Sequence, residues 1–213
     1  MRQLQSAAER AYEEIKRRVI AGRLGAGRID LQRLADALRM SQTPVREALA
    51  RLAAERLVDA SPGYGYAVVL PTARQLRQLY DWSGELADLA LSGPSLCPQP
   101  STAPSRGNLT APETYAEGLS ALLCAIAASA DNAELLAQTR RTGERLYQAR
   151  LIEPSFFAGA LKELQSLEAA WVSGEQDSLR AELKRHHGAR AEAASVLSEA
   201  LAASAETARA AWS

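Results

Sequence analysis

Tyr12, Ile15 and Val19 recur at i, i+3 and i+7, while Glu13, Glu14, Lys16 and Arg17 fall elsewhere around the turn, which is the spacing of an amphipathic helix. That helix is expected to end near Gly22. Residues 22–27, with Gly22, Gly25 and Gly27 among them, spell a turn, after which Asp30 stands as N-cap of a second, short helix burying Leu31, Leu34, Ala35 and Leu38. Arg39, Met40 and Ser41 break the pattern within a few residues. A third helix follows, with Ser41 or Thr43 as its N-cap, Pro44 tolerated in its first turn, and Val45, Leu49 and Leu52 as its inner stripe. Beyond it the period falls from 3.6 to about 2. Residues 57–60 and 66–69 flank Ser61, Pro62, Gly63, Tyr64 and Gly65, the sequence of a short β-hairpin. Three helices with a tight second connection, followed by a hairpin, predict a winged helix-turn-helix over residues 1–71.

The remainder, 72–213, reads as helical. Residues 72–91 offer Leu76, Leu79, Trp82, Leu86 and Leu89 to one face. Residues 92–112 collect five of the nine prolines with Gly93, Gly107 and several serines, and are expected to form a long, flexible loop. Further helices are expected over 113–130, 132–151, 153–173 and 176–211, with Gly174 as a break, which makes an antiparallel all-α bundle. The fold class is therefore mainly α.

Composition sharpens this picture in three ways. With 47% hydrophobic and 23% charged residues in 213, the chain has the material for a buried core, so global disorder is excluded. The formal net charge is zero, but residues 1–75 carry 13 basic and 8 acidic side chains, leaving the compensating acidic excess in the second part. The first part is the one suited to a polyanion. No apolar run reaches the roughly 20 residues a bilayer span needs, and the N-terminus lacks the apolar core of a signal peptide, so a cytoplasmic protein without membrane partners is expected. Cys97 and Cys124 have no metal-ligand or redox spacing and read as incidental thiols.

Chemistry concentrates on the third helix. Gln42, Thr43 and Arg46 lie at i, i+1 and i+4, opposite Val45, Leu49 and Leu52, so they share an outward face at the helix N-terminus. There Arg can pair with guanine O6/N7 and Gln with adenine N6/N7 in a major groove, while Ser41, Thr43 and the unsatisfied N–H groups suit phosphate. An isolated Arg on an Ala-rich helix is more often a solvated charge. The surrounding run is more specific. Leu34-Ala35, Leu38, Ser41, Thr43 to Leu49, Arg51-Leu52, Glu55, Leu57-Val58, Gly65 and Val68 together resemble the signature of GntR-type bacterial transcription regulators. That resemblance implies DNA contacts by Gln32, Ser41, Gln42, Thr43 and Arg46, and by the wing at Gly63, Tyr64 and Gly65. Three positions depart from the pattern. Gln42 stands where Arg is common, Tyr64 where Arg or another polar residue precedes the wing glycine, and Arg56 where a glycine closes the third helix.

Relatives with an all-helical C-terminal half resemble the FCD type, whose bundle encloses an effector pocket, often with a metal held by one Asp and three His. Laid on this chain from Asn132 and from Gly174-Glu175, the pattern puts the Asp at Gly118, the His at Leu122, Leu164 and His186, and a common Arg at Ser83. Three of the four ligands are replaced by groups that cannot coordinate, so no metal is expected. His186 and His187 are expected to be exposed or capping, and Leu122 and Leu164 to leave a pocket that is apolar or filled in. The pocket then takes a small, apolar or weakly polar effector, or the bundle only dimerises. Arg140, Arg141, Arg145 and Arg150 read as a solvated face sooner than as an anion site.

The expectation is thus a GntR-type regulator, an effector-responsive repressor that binds a palindromic operator as a homodimer. The alternative is a helical interaction protein whose winged helix no longer reads DNA. An enzyme is not expected, since no nucleophile with its base, no phosphate-binding glycine loop and no buried carboxylate pair can be placed.

Overall fold

The structure is a computed structural model that describes residues 6–93 and 110–212, with the side chains of 211 and 212 excepted. Most of the loop expected over 92–112, with Cys97, lies outside the described residues. Two compact units are distinguished: Met1–Leu70 with Leu201–Ser213, and Pro71–Ala200. The assignment of the last residues to the first unit differs from the division expected from sequence.

The first unit runs α1 (Ala7–Ile20), β1 (Gly27–Arg28), α2 (Leu31–Leu38), α3 (Gln42–Ala54), β2 (Asp59–Ser61) and β3 (Gly65–Val68). Its core is the one expected: Ala11, Tyr12, Ile15 and Val19 of α1 meet Leu34 and Ala35 of α2, Val45, Leu49 and Leu52 of α3, and Val58 and Val68 of the hairpin. Leu31 and Leu38 are only partly buried against it. Ser6 caps α1 and Asp30 caps α2, each accepting a backbone N–H at 3.0 Å. Ser41 occupies the N-cap of α3 without a side-chain capping bond. The hairpin is not alone. β1 pairs antiparallel with β3, Gly27 opposite Val68 and Arg28 opposite Ala67, giving a three-stranded sheet in the order β1-β3-β2. Gly27, expected at the end of a turn, is thus with Arg28 a strand too short to show periodicity.

Two left-handed residues bound α3. Arg39 (φ 54°) turns the chain from α2 into α3, and Arg56 (φ 60°) closes α3. Around Arg56 the bonds Arg56 N–H to Ala53 O and Leu57 N–H to Leu52 O, both 3.0 Å, form a Schellman cap. This is the position where the family signature has glycine, and it explains that preference: an L side chain there is disfavoured by roughly 1–2 kcal/mol. Gly25 (φ 65°) has a different role, since a Cβ added to it would lie 2.8 Å from the backbone nitrogen of Arg209, also in this unit.

The second unit contains α4 (Ala73–Leu91), α5 (Ala111–Ser129), α6 (Ala133–Phe156), α7 (Ala160–Ser173), α8 (Gln176–Glu192) and the start of α9 (Ala194–Trp212). α4 and α5 open with complete capping boxes, Thr72/Gln75 and Thr110/Glu113, and Asn132 caps α6 rather than closing the helix before it. Three boundaries differ from expectation. α6 passes through Pro154 and stops only at Phe157, because a proline so near a helix end removes a single hydrogen bond; the chain then turns at Gly159 (φ 84°). The last helix, expected as one, divides at Ala193. On α4, Leu76, Leu79 and Leu86 are buried with Tyr80, Ser83, Ala87 and Ala90, but Trp82 and Leu89 are 48% and 60% exposed. At about 100° per residue those two fall roughly 110–130° from the centre of the buried arc.

Candidate nucleic-acid interface

Gln42, Thr43 and Arg46 project from the first turns of α3 into solvent, with Ser41 beside them, while Val45, Leu49 and Leu52 are buried behind. α3 is held at its far end. Glu55 accepts from the Tyr12 hydroxyl at 2.8 Å and from Lys16 Nζ at 3.0 Å, and Arg51 lies over the Tyr12 ring with its guanidinium carbon 3.6 Å from the centroid while pairing with Glu9 at 3.1 Å. Tyr12 has its hydroxyl pKa raised, chiefly by burial, so it stays a donor to Glu55.

An open groove of about 1000 Å³ lies between this helix end and the wing. Gln32, Gln42, Arg46, Gly63 and Gly65 line it, together with Arg28, Asp30 and Ser61. Gln42 Nε2 donates to Gln32 Oε1, and Gln32 Nε2 donates to Asp36 Oδ1 at 2.8 Å, so the two glutamines present a linked pair of amides. Arg46 makes no hydrogen bond or ion pair among the described residues, which leaves its guanidinium available. Tyr64 stands at the wing tip, 75% exposed, between Gly63 (φ 77°) and Gly65 (φ 82°). No atom lies within 4 Å of a Cβ built on either glycine, so their requirement is conformational: the turn closed by Tyr64 N–H to Ser61 O at 3.0 Å takes positive φ at its third residue, Gly63, and Gly65 re-enters the strand with positive φ of its own. Arg28 was missed from sequence. Its strand is two residues long, and only the pairing with β3 carries it to the groove wall.

The interior of the second unit differs from expectation. His186 and His187 are 1% and 4% exposed and lie within α8, neither exposed nor capping. Arg150 is likewise buried at 1%, with Nη1 donating to Ser120 Oγ at 2.8 Å and Nε without a protein partner among the described residues, whereas Arg140 and Arg141 are exposed. Two carboxylates share Arg190, one of them buried and the other partly exposed. Glu153, fully buried, accepts from Tyr80 OH at 2.7 Å, Tyr115 OH at 2.5 Å and Arg190 Nε at 3.1 Å, and Arg190 Nη1 donates to Glu163 at 3.0 Å. His186 Nδ1 lies 3.2 Å from Glu163 Oε1. Burial pushes the Glu163 carboxyl up, but the His186 and Arg190 hydrogen bonds and their charges outweigh it and hold the pKa at about 2. Burial lowers the His186 pKa, with the Glu163 bond offsetting only part of the fall, and burial pushes His187 well down. His187 Nδ1 faces the Leu183 carbonyl at 2.8 Å, so that nitrogen carries the proton and Nε2 accepts from Ser83 Oγ at 3.0 Å.

These residues do not fit a metal. Gly118, Leu122 and Leu164 supply no donor atom, and the single imidazole, His186, faces a carboxylate already bound to Arg190. Among the described residues no group of three His, Cys, Asp or Glu side chains is placed to hold an ion.

A tri-helical domain with a sheet-supported wing, a solvent-facing helix N-terminus and a second all-helical unit define a winged-helix regulator architecture. Residues 7–68 match the model of the bacterial regulatory proteins, gntR family, and this domain belongs to that family. No curated protein matches the sequence significantly. Among solved structures, the chain is similar to a GntR transcriptional regulator of Rhodococcus sp. RHA1 (17% identity, 89% of this chain and 98% of that one, TM-score 0.70). It is similar also to McbR/YncC of E. coli (19%, 90% and 98%, TM-score 0.62). A third is Lar, described as controlling expression of the Listeria monocytogenes agr system (14%, 90% and 98%, TM-score 0.51). At these identities the likeness shows the fold: a winged helix followed by a helical C-terminal domain. No helix among the described residues is long and apolar enough to cross a membrane.

Proposed function

We propose that this GntR-family regulator reads a palindromic operator as a homodimer and acts as an effector-responsive repressor. The observation that carries the DNA reading is the solvent-open groove in which Gln42, Gln32 and an unpaired Arg46 converge at the N-terminus of α3. Arg46 supplies the bidentate fork for guanine and the linked glutamines present amide donors and acceptors for adenine. Thr43, Ser41 and the helix N-terminus hold phosphate, while Tyr64 reaches the backbone or minor groove from the wing. Homodimerisation follows from reach: one recognition helix covers only a few base pairs, and a two-fold pair doubles the specific contacts. The second unit is the dimerising and effector-responsive half. It works without a metal, and any effector entering it, small and at most weakly polar, meets Leu122 and Leu164 beside a polar network that is already largely satisfied.

The test is to select duplexes from a random pool with the full chain, then titrate a selected and a scrambled duplex by fluorescence anisotropy over several salt concentrations. The selected site should be a palindrome, and its affinity should fall steeply with salt. Arg46→Ala should cost about 1–3 kcal/mol on the selected duplex, roughly 5- to 150-fold, and little on the scrambled one. Equal affinity for both duplexes, unmoved by Arg46→Ala, would refute the reading and leave the winged helix as a protein interface.

A further inference from the structure

Trp82 and Leu89, seven residues apart, form an exposed apolar stripe on α4 that the second unit does not cover. The charges around it follow an order that α4 itself disfavours. Exposed Arg74 and Arg77 stand in its N-terminal half, and exposed Asp81, Glu85 and Asp88 in its C-terminal half. The helix macrodipole prefers the reverse, acids at the start and bases at the end. Asp81, Glu85 and Asp88 border a cleft of about 440 Å³ with Arg180 and Lys184 of α8, and of the three only Asp88 is paired there, 2.8 Å from Arg180 Nε. Arg74, Arg77, Asp81 and Glu85 make no hydrogen bond or ion pair among the described residues.

This order is self-complementary under one operation. Lay a second α4 antiparallel to the first with the two-fold axis between Asp81 and Trp82, and residue r faces residue 163 − r. Arg74 and Arg77 then face positions 89 and 86 of the other copy, each one residue along from an acid, Asp88 and Glu85 respectively, twice by symmetry, and the two macrodipoles oppose. The indoles meet at the axis, and each Leu89 covers the polar N-terminal turn of the other copy. A parallel pairing would instead put like charges together. We propose that the outward face of α4 is an isologous docking surface whose partner is a second copy of this chain, bound antiparallel across Trp82. This proposal rests on the homodimer reading above and names its contact.

Sedimentation velocity on the full chain tests it. The wild type should be a dimer. Arg74→Glu/Arg77→Glu makes one face wholly acidic, and Asp81→Arg/Glu85→Arg makes the other largely basic; each alone should raise the dimer dissociation constant at least about tenfold. Mixed one to one, the two variants should recover a heterodimer, which controls for folding because neither associates unless intact. Trp82→Glu/Leu89→Glu should also be monomeric with an unchanged far-ultraviolet spectrum. A wild-type dimer indifferent to all these changes, or bridged by another protein at this face, overturns the α4 surface and leaves the homodimer reading standing. A monomeric wild type overturns both, while half-site DNA affinity, which involves none of these residues, reports separately on the reading helix.

Discussion

Replacing Glu153 with Ala strands three donors at once. Its carboxylate, fully buried, takes hydrogen bonds from Tyr80, Tyr115 and Arg190. Each buried hydroxyl left without an acceptor costs about 1 kcal/mol or more. Breaking a buried ion pair costs about 3–5 kcal/mol when the remaining charge is uncompensated. Arg190 keeps Glu163, so that term falls to the low side, around 2 kcal/mol, and the sum is about 4 kcal/mol. For a unit of this size a kilocalorie shifts the melting midpoint by roughly 2–4 °C, so Tm of the second unit should drop by about 8–16 °C. Calorimetry of the full chain reads the shift as the transition that moves between wild type and variant. Two companion variants separate charge from shape. Glu153→Gln keeps one carbonyl acceptor and the volume, and should lose about half as much. Glu153→Leu/Arg190→Met removes both charges, and should recover part of the loss, because apolar replacement of an entire buried pair is often neutral or stabilising. A Glu153→Ala protein melting within about 2 °C of the wild type, or a double variant worse than the sum of its singles, would refute this account of the interior.

Three further outcomes follow from other sites. Arg56→Gly should raise the stability of the first unit by about 0.5–1 kcal/mol, read as a higher urea midpoint with unchanged slope, since φ there is already 60°. Gly25→Ala should lower it, because the new Cβ meets the Arg209 backbone at 2.8 Å in a left-handed residue; limited proteolysis should then cleave the C-terminus sooner. Acidification should weaken the second unit in two stages. His186, with its pKa lowered by burial, binds fewer protons folded than unfolded once the pH falls below about 6.5, and Glu163, at about 2 when folded, does the same below about 4.5. Both contributions are therefore lost toward acid; His187, pushed further down by burial, adds to the upper stage, so His186→Phe should reduce that stage of a Tm-against-pH curve and only loss of both imidazoles should flatten it.

The winged helix was legible because its signals are local and agree: Asp30 caps, the 3.6-residue stripe through Val45, Leu49 and Leu52, and the glycines at 63 and 65 all specify one geometry. β1 was not, since two residues carry no period and their strand state comes from β3. In the second unit the same pattern reading misjudged Trp82 and Leu89, as a helix packed on one arc leaves apolar residues outside it that composition alone cannot distinguish. The break at Ala193 lacks any glycine or proline to announce it. His186, His187 and Arg150 looked like surface residues because burial of a polar side chain depends on partners from distant helices: Glu163 and Ser120 lie 23 and 30 positions away, and Ser83 lies 104 away.

The Glu153–Arg190–Glu163–His186 cluster has a bearing on how such a bundle can change. Because four side chains share their protons and acceptors, a lone replacement at any of them leaves the other three mismatched, so drift through this interior proceeds by exchanges made together. Across divergent bundles, positions 153, 163, 186 and 190 should therefore vary as a block, swapping between polar and apolar sets, while the exposed arginines at 140 and 141 vary independently of them and of each other.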